Sequence, residues 1–390
     1  MIAFDESAAR VAVRGLRGEE HTSAEEAYAR AVWSVLVEPG DGVAGAFVAE
    51  HGAAEALRRI DDSADPDVRR ARARWAPRRQ PGAVEAVLDA ARRCGAALVV
   101  PGDAAWPTRL DDLGAHAPLA LWRRGVATHA ERPAVALVGA RASTAYGEGV
   151  AADLAADLAA AGVAVVSGAA YGIDGACHRA ALSAGGATVA FLAGGVDRPY
   201  PRGHEALLAQ IAAAGTVWSE TPCGAAPTKW RFLSRNRLIA AMSDAVVVVE
   251  AGWRSGSLNT AAHAATLGRP LGAVPGPVTS AASAGCHRVL REYDGVCVTS
   301  ASDVLEMLGA GGSPPPAWEQ ARTDATTRLL DALSPRTGRS SDDVARRSGL
   351  APDEAAILLG FAELEGRVLR DDDGAWRTAA RAAAGGRTTG

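Results

Sequence analysis

Short apolar runs that recur between residues 97 and 310 constrain the fold of this chain more than any other feature of its sequence. They are ALVV, AVALVGA, VAVVSG, TVAFLAGG, TVWSE, AVVVVEAG, PLGAVPG and GVCVTS, and alanine-rich segments of helical character separate them. None alternates between apolar and polar residues, which is typical of parallel strands covered on both faces. The pattern therefore predicts an α/β fold with an extended, Rossmann-like, doubly wound and mostly parallel sheet.

The regions on either side of this sheet predict smaller modules. Residues 1–80 include segments with helical periodicity, such as AEEAYARAVWSVLV, and predict an N-terminal helical module of the SAM or helix-hairpin-helix kind. The arginine-rich residues 61–80 within it fit either a loop or the solvated face of a helix. The full predicted division is residues 1–80 for the helical module, 81–308 for the Rossmann-like domain, 309–324 for a linker, 325–378 for a winged helix and 379–390 for a disordered tail.

The predicted winged helix rests on the order helix, turn, helix and hairpin. Its second helix, APDEAAILLGFAELEG, carries four carboxylates and no cation, and residues 341–378 hold nine acids against five arginines. Phosphates would repel such a surface, so we expect this domain to contact a protein rather than the major groove of DNA.

Composition narrows the class of protein. No run of about 18 apolar residues occurs and charges interrupt the N-terminus, so we expect no membrane span and a cytoplasmic location. The five cysteines are odd in number and contain no C-x-x-C pair, which argues against a disulfide framework and a zinc site. We therefore expect no metal and no cofactor. The net charge of −4 excludes bulk histone-like electrostatics but leaves room for a local basic groove.

Four strand ends carry glycine, three of them together with small hydroxyl residues, and they form the candidate ligand site. In open α/β sheets, ligands bind outside the carboxyl ends of the strands, where glycine lets backbone N–H groups approach an anion. The four segments are VGARASTAYG, SGAAYGIDGACH, LAGGVDRPYP and EAGWRSGSLNTA. Together they predict a site for a phosphate-bearing ligand. The predicted side-chain and turn contributors are Arg141, Ser143, Thr144, Ser167, Gly168, Ser255, Gly256 and Ser257, and the predicted backbone contributors are Gly139, Gly172, Gly194 and Gly195.

Catalytic machinery is not evident in these segments. No Ser/His/Asp set, H-E-x-x-H motif or carboxylate dyad occurs at close spacing, so no catalytic residue is assigned. Asp174 and His178 are four residues apart, and we interpret them as a helix N-cap and a packed histidine. We interpret Glu250, at the end of a buried strand, as a residue that orders the adjacent loops.

The segment TKWRFLSRNR, residues 228–237, interleaves four cations with two aromatic residues. It precedes the strand that ends in RSGS, so it predicts a cationic groove beside the phosphate-compatible turns. Its cations would neutralise a nucleic-acid backbone, and Phe232 or Trp230 would stack on an unpaired base. The alternative is that both aromatic residues anchor the core and the arginines pair with surface acids.

The motifs VALVGARASTAYG, SGAAYGIDGACHRAAL, GGVDRPYP, SETPCGAAPTKWRFLSRNRLIAAMS, VVVVEAGWRSGSLNTA and AVPG, in this order, closely resemble the DNA-processing protein A family (DprA, also called Smf). The resemblance covers residues 97–300. It implies a DNA-binding Rossmann-like domain that holds single-stranded DNA without catalysing a reaction. It also implies a homodimer that protects the strand and helps load the RecA recombinase during DNA processing, recombination or natural transformation in competent cells.

Carried over by motif position, the resemblance assigns contacts with the strand and the phosphate pockets. The expected strand contacts are Arg141, Lys229, Phe232, Arg235 and Asn236, to which the basic segment adds Arg237. The expected lining of the phosphate pockets is Gly139, Ser167, Gly168, Ser255, Gly256 and Ser257.

The chain departs from the family pattern at four places. Tyr171 replaces an arginine, which reduces the expected phosphate affinity there and permits stacking. Leu233 replaces a proline, and Asn259 replaces an isoleucine. The late G-x-N-x-L-I segment reads AGCHRVL, which leaves contacts at 286–289 undecided.

Two other classes of function remain open from the sequence. One is a nucleotide-binding hydrolase of the lysine-decarboxylase-like phosphoribohydrolase type, whose P-G-G-x-G-T-x-x-E loop supplies a glutamate. Here RSGSLNTAAHA has no carboxylate after Thr260, which favours a binding protein. The other is an adaptor in which the winged helix recruits a partner, and the basic segment argues against it.

Overall fold

Two compact units make up the chain, residues 1–311 and 312–390. The structure is a computed structural model that describes residues 5–18, 22–126, 132–309, 325–371 and 373–379. Most of the predicted linker at 309–324 and of the predicted tail at 379–390 lies outside the described residues.

A nine-stranded sheet forms the centre of the first unit. Its strands are β1 (Ala97–Val99), β2 (Leu121–Gly125), β3 (Ala134–Gly139), β4 (Ala164–Ser167), β5 (Thr188–Phe191), β6 (Thr216–Ser219), β7 (Ala245–Glu250), β8 (Leu271–Ala273) and β9 (Val296–Cys297). Their order in the sheet is β1-β2-β6-β5-β4-β3-β7-β8-β9. All neighbours from β6 to β9 pair in parallel, whereas β2 pairs antiparallel with both β1 and β6. The predicted doubly wound, mostly parallel sheet is confirmed.

Helices cover both faces of the sheet, which explains why the strands are apolar throughout. The helices that follow the first sheet strands are α7 (Ala145–Ala160), α8 (Ile173–Ser183), α9 (Glu205–Ala214), α10 (Lys229–Met242), α11 (Ser257–Thr266), α12 (Ala284–Glu292) and α13 (Ala301–Met307). One buried core contains side chains of α7, α8 and α13, and another contains those of α10, α11 and α12. Val135 and Ala136, adjacent in β3, belong to these two different cores.

The N-terminal helices share a core with the sheet. They are α1 (Glu6–Ala12), α2 (Ala24–Leu36), α3 (Gly42–His51), α4 (Ala53–Arg59), α5 (Pro66–Trp75) and α6 (Ala83–Arg93). Trp33 and Trp75 meet edge to face at 5.4 Å, and they belong to the same core as Trp122 of β2. The predicted boundary at 80/81 therefore does not separate two compact units, because both sides lie within residues 1–311.

Two details of this unit resolve or extend the sequence interpretation. Residues 66–75 of the arginine-rich stretch form helix α5, which buries Val68, Ala71 and Trp75 and exposes most of its charges. Strand β2, LWRRG, has no counterpart among the predicted apolar runs because its second half is charged. It is held by pairing on both sides and by burial of Leu121 and Trp122.

The second unit is a winged helix, as predicted. Its elements are α14 (Ala325–Asp331), α15 (Ser341–Ser348), α16 (Pro352–Leu364), β10 (Val368–Arg370) and β11 (Trp376–Thr378). Gly349, with φ +67°, ends α15 in a left-handed turn, and β10 pairs antiparallel with β11. The unit has a core of its own, which includes Leu359 and Trp376. In neither unit do the described residues include a helix both long and apolar enough to span a membrane.

Candidate nucleic-acid interface

A groove of about 750 Å³ opens where the order of the sheet strands reverses. The chain runs outward from β3 through β4, β5 and β6 and then returns to β7, on the other side of β3. Neighbouring loops diverge at such a switch point and leave a crevice beyond the carboxyl ends of the strands. The groove is lined by residues 138–142 at and beyond the end of β3, by residues 227–229, 232–233 and 235–236 around the start of α10, and by residues 254–257 after β7. The structure thus brings together nine predicted residues: Gly139, Arg141, Lys229, Phe232, Arg235, Asn236, Ser255, Gly256 and Ser257.

Lys229 begins helix α10 at the rim of the groove. The helix starts here because the Thr228 hydroxyl accepts the Arg231 backbone N–H at 3.3 Å. Lys229, the only lysine of the chain, is exposed. Its ammonium has no hydrogen bond or ion pair within residues 5–18, 22–126, 132–309, 325–371 and 373–379. Lys229 is therefore a cation whose charge is available to a ligand.

An aromatic and cationic cluster lies beside Lys229. The Arg141 guanidinium carbon is 4.5 Å from the centroid of the half-buried Phe232 ring, and the Tyr200 ring lies 5.4 Å from the same centroid. Arg141 and Tyr200 are both exposed. Such a cluster offers an apolar ring face to a base and a guanidinium to the adjoining phosphate.

Arg235 supplies a positive charge from beneath the groove. It is 5% exposed, and its Nη1 donates to the Phe191 carbonyl oxygen at 2.8 Å. Burial lowers the pKa of the Arg235 guanidinium to about 10, although neighbouring Asp174 acts in the opposite direction. The guanidinium therefore stays protonated at neutral pH. Burial also raises the pKa of the Asp174 carboxyl, against the effect of Arg235.

Gly168 serves Arg235 rather than a phosphate. A Cβ at Gly168 would lie 1.7 Å from Arg235 Nη1, so only glycine leaves space for the guanidinium. The Gly168 N–H donates to Asp174 Oδ2 at 3.2 Å, so this N–H is not available to a ligand. Asp174 lies inside the first turn of α8 and also accepts the Ala170 N–H, so the interpretation of Asp174 as a helix N-cap is wrong.

The turn after β7 forms the opposite wall. Asn236 Nδ2 donates to the Gly256 carbonyl oxygen at 3.2 Å and to Asn259 Oδ1 at 3.3 Å, so Asn236 positions this turn. Asn259 stands where the family pattern has isoleucine. Its side-chain oxygen accepts a hydrogen bond that an isoleucine side chain could not accept. The hydroxyl oxygens of Ser255 and Ser257 are 2.8 Å apart.

Four predicted contacts instead make hydrogen bonds to other residues of the protein. Arg237 is 5% exposed, and its Nη2 donates to both carboxylate oxygens of Glu220 at 2.8 and 2.7 Å. Ser167 is fully buried and donates to the Leu137 carbonyl oxygen at 2.7 Å. Because these groups are inaccessible, Arg237 and Ser167 lie outside the candidate interface. The hydroxyls of Thr144 and Ser143 donate to Glu250 and Glu148 at 2.6 and 2.7 Å.

Three predicted phosphate-binding glycines pack against backbone. The Gly195 N–H donates to the Ala225 carbonyl oxygen at 3.0 Å, and a Cβ at Gly194 would lie 3.0 Å from the Pro227 backbone nitrogen. Gly172 has φ +75°, and a Cβ there would lie 2.3 Å from the Ala140 carbonyl oxygen. Close packing therefore explains these glycines, and none of the three lines the groove.

Glu250 and His178 have the structural roles that the sequence indicates. Glu250 accepts the Thr144 N–H as well as its hydroxyl, which fixes the loop after β3. The Thr188 hydroxyl donates to the Val165 carbonyl oxygen, so it accepts from Nδ1 of the fully buried His178 at 2.7 Å. Burial lowers the pKa of His178 to about 3, because a proton on its buried Nε2 would find no partner among the described atoms.

The remaining departures lie near the groove or in internal contacts. Tyr171 is half exposed and packs edge to face on His204 at 4.9 Å, outside the groove lining. Leu233 lines the groove. In the segment 286–289, Cys286 is buried and His287 Nε2 lies 3.0 Å from the Gly276 carbonyl oxygen.

Two arginines of the basic segment pair with acids, one of which, Glu220, is buried rather than at the surface. Besides Arg237, Arg231 pairs with Glu38, with Nη2 to Oε1 at 2.9 Å. The sequence interpretation also missed Arg254 and Tyr200, which line the groove. Arg254 directly precedes the predicted Ser255, and Tyr200 lies in the quoted motif LAGGVDRPYP. The sequence therefore contained a signal for both residues. Among the described residues, no cluster of three or more His, Cys, Asp or Glu side chains could hold a metal ion.

Comparison with known proteins assigns the chain to a family. The family model described as DNA recombination-mediator protein A matches residues 97–309, and that of the DprA winged helix domain matches residues 313–374. A putative DNA processing protein DprA from Mycobacterium tuberculosis is 47% identical over 308 residues, covering 74% of this chain and 79% of that protein.

Solved structures agree with this assignment. The X-ray structure of DprA from Streptococcus pneumoniae matches with a TM-score of 0.60 and 30% identity, covering 71% of this chain and 95% of that chain. A structure of DNA processing protein A from Helicobacter pylori, described for its single-stranded DNA binding mode, matches with a TM-score of 0.50 and 28% identity. It covers 55% of this chain and 95% of that chain. The chain belongs to the DNA recombination-mediator protein A family.

Proposed function

We propose that this protein binds single-stranded DNA in the groove and helps to load the RecA recombinase onto that strand. The observation that carries the proposal is the exposed Lys229 ammonium, without a partner in the described part of the chain, beside the Arg141–Phe232 stack. A fold that needed these cations only for stability would pair them with acids, as it does Arg231 and Arg237.

The charged and the aromatic side chains of the groove would bind different parts of the strand. Lys229, Arg141 and Arg254 would neutralise phosphates, while Arg235 raises the potential from below. Phe232 and Tyr200 would stack on a base, which requires that the base is unpaired. The preference for a single strand over a duplex would therefore come from the aromatic residues, and the dependence on salt would come from the cations.

Binding of a fluorescent oligo-dT and of the matching duplex across a salt series tests this proposal. We expect Lys229→Ala to weaken oligo-dT binding roughly fivefold and to reduce the salt slope by about 0.7, as for one phosphate contact. Phe232→Ala should cost about 1–3 kcal/mol with the slope unchanged. The control is Arg93→Ala, which removes one exposed cation outside the groove.

The proposal would have to be abandoned if the wild type did not bind oligo-dT at low salt. It would also fail if Arg93→Ala changed the affinity and the salt slope as much as Lys229→Ala. Equal affinity for duplex and single strand would leave a phosphate-binding groove but remove the role given to Phe232.

Assembly with RecA and with a second copy of the chain is part of the same proposal. The family and the DprA relatives support a role in DNA processing, and we place that role in the cytoplasm. RecA filament formation on oligo-dT covered by a single-strand-binding protein should be faster with this protein than without it. Sedimentation at increasing concentration should show a dimer. Both effects are expected to persist in Arg93→Ala, whereas Lys229→Ala should slow loading in proportion to its weaker strand binding.

A phosphoribohydrolase is the competing enzymatic function. The residues after Thr260 are alanines and His263, so the loop lacks the glutamate of that enzyme type. The carboxylate of Glu250 is occupied by Thr144, and that of Asp174 by backbone N–H groups. Incubation with nucleoside monophosphates should therefore release no base, and clear turnover would refute the assignment as a binding protein.

A further inference from the structure

Helix α16 of the winged helix is apolar on two opposite sides. Ala355, Leu359 and Ala362 are buried in the core of the unit. The opposite side presents Ile357, Phe361 and Leu364, which are 60%, 61% and 86% exposed. Their spacing of four and three residues aligns them along one stripe of the helix. We call these three side chains the α16 stripe.

Exposed leucine, isoleucine and phenylalanine side chains in one stripe are unusual for a surface helix. A helix that is apolar around most of its circumference is normally covered on both sides. Leu369, in the neighbouring strand β10, is a further large apolar side chain that is 59% exposed. An exposed apolar patch rimmed by polar residues is typical of a surface that binds another protein.

Gly360 lies beside the stripe, three residues after Ile357 and four before Leu364. A Cβ at this position would meet no atom within 4 Å, so the fold does not require glycine here. Glycine inside a helix destabilises it relative to alanine. A small residue at this place is useful to a partner whose backbone approaches the helix closely.

The charges around the stripe select among possible occupants. Asp353, Glu354 and Glu363 have no ion-pair partner in the described part of the chain, and Glu365 pairs with Arg367 at 3.4 Å. This acidic rim would repel DNA phosphates and anionic lipid. A second copy on the same face would bring like charges together. A partner with a basic rim is the complementary occupant.

We propose that the α16 stripe docks an amphipathic helix of a partner protein, with lysine or arginine on both sides of the apolar face of that helix. Apolar surfaces that bind amphipathic helices contact the residues at i, i+3, i+4 and i+7 of the bound helix. The surface is distinct from the DNA groove, which lies in the other unit, so the proposal does not depend on strand binding.

Fluorescence anisotropy with the full chain and a designed probe tests the proposal. The probe is a helical peptide with leucines at i, i+3, i+4 and i+7 and with lysine and arginine on both flanks. A second peptide carries glutamate in place of every flanking cation. We expect the basic peptide to bind and the acidic peptide to bind at least roughly tenfold more weakly. Phe361→Ser should weaken the basic peptide roughly tenfold or more, as for an aromatic hot spot.

Two further variants make the outcome decisive. Val278→Ser, which changes a side chain that is 90% exposed in the first unit, should leave peptide binding unchanged. Gly360→Ala should raise the midpoint of thermal unfolding and yet weaken the peptide, a combination that a purely structural role does not produce. The proposal is overturned if the wild type does not bind the basic peptide, if Phe361→Ser binds it equally, or if the acidic peptide binds as well. A dimer that Phe361→Ser dissociates would assign the stripe to a second copy instead.

Discussion

In the variant Arg237→Ala, Glu220 would lose its buried partner while the groove keeps every side chain that lines it. The side chains of Arg237 and Glu220 are 6% and 10% exposed, and two hydrogen bonds join them. Glu220 would retain the Gly40 N–H, which it accepts at 3.0 Å. One neutral donor cannot replace a guanidinium, so a buried carboxylate would remain largely uncompensated.

The expected loss of stability follows from that uncompensated charge. Removing one partner of a buried ion pair costs about 3–5 kcal/mol, whereas a whole domain is stable by only about 5–15 kcal/mol. Replacing the remaining carboxylate by a neutral amide, in Glu220→Gln with Arg237→Ala, removes the buried charge. We therefore expect the double variant to be more stable than Arg237→Ala alone.

Urea unfolding and oligo-dT binding, measured on the same four proteins, check this reasoning. The four are the wild type, each single variant and the double variant, and they form a double-mutant cycle. We expect Arg237→Ala to lower the unfolding midpoint and the affinity of its folded fraction to stay within about twofold. An unchanged midpoint with binding about tenfold weaker would refute the structural role and restore Arg237 as a strand contact.

Three other variants test the buried and aromatic residues around the groove. His178 has a pKa of about 3 in the fold, below its ordinary value of 6.5, so its contribution is present above about pH 6.5 and is lost as the pH falls. Stability should drop by about 2 kcal/mol between about pH 7 and pH 5 from this group, a slope that His178→Gln removes in urea titrations. Gly168→Ala should destabilise the protein by about 1–3 kcal/mol in the same assay, because the methyl group displaces the Arg235 guanidinium. Tyr171→Arg should increase the salt slope of oligo-dT binding by about 0.7, and an unchanged slope would place position 171 outside the strand path.

Most of the architecture could be predicted from the sequence, because buried parallel strands leave a clear pattern. AVALVG and AVVVVE are continuous apolar runs, and both form central strands, β3 and β7. Strand β2 was not predicted because Arg123 and Arg124 interrupt its apolar run. Its position in the sheet depends on pairing with β1 and β6. Such long-range pairing leaves no local signal in five residues.

The candidate site could be located from the sequence but not resolved into contacts. The glycines after the strands look alike in the sequence, yet Gly194 packs on Pro227 and Gly256 faces open space. The hydroxyl of Ser167 is buried, while Ser255 lines the groove. Glycine and serine at the end of a strand are compatible with close packing as well as with anion binding. Only the tertiary neighbours decide between these two roles.

Helical phase accounts for the division within the basic segment. Lys229, Phe232, Leu233 and Asn236 are spaced by three, one and three residues, so they share one face of α10, and all four line the groove. Arg231 and Arg237 point elsewhere and meet acids. This phase could have been read from the sequence once the segment was taken as one continuous helix.

Those two ion pairs tie the interface to the N-terminal helices. Arg231 bonds to Glu38, and Arg237 bonds to Glu220, which in turn accepts the N–H of Gly40. Residues 38–40 between α2 and α3 therefore hold α10 at two points along its length. The two arginines that do not face the groove thus fasten α10 to the N-terminal helices. On this reasoning the N-terminal helices stabilise α10, and disrupting residues 38–40 would lower the stability of the first unit without touching a residue that lines the groove.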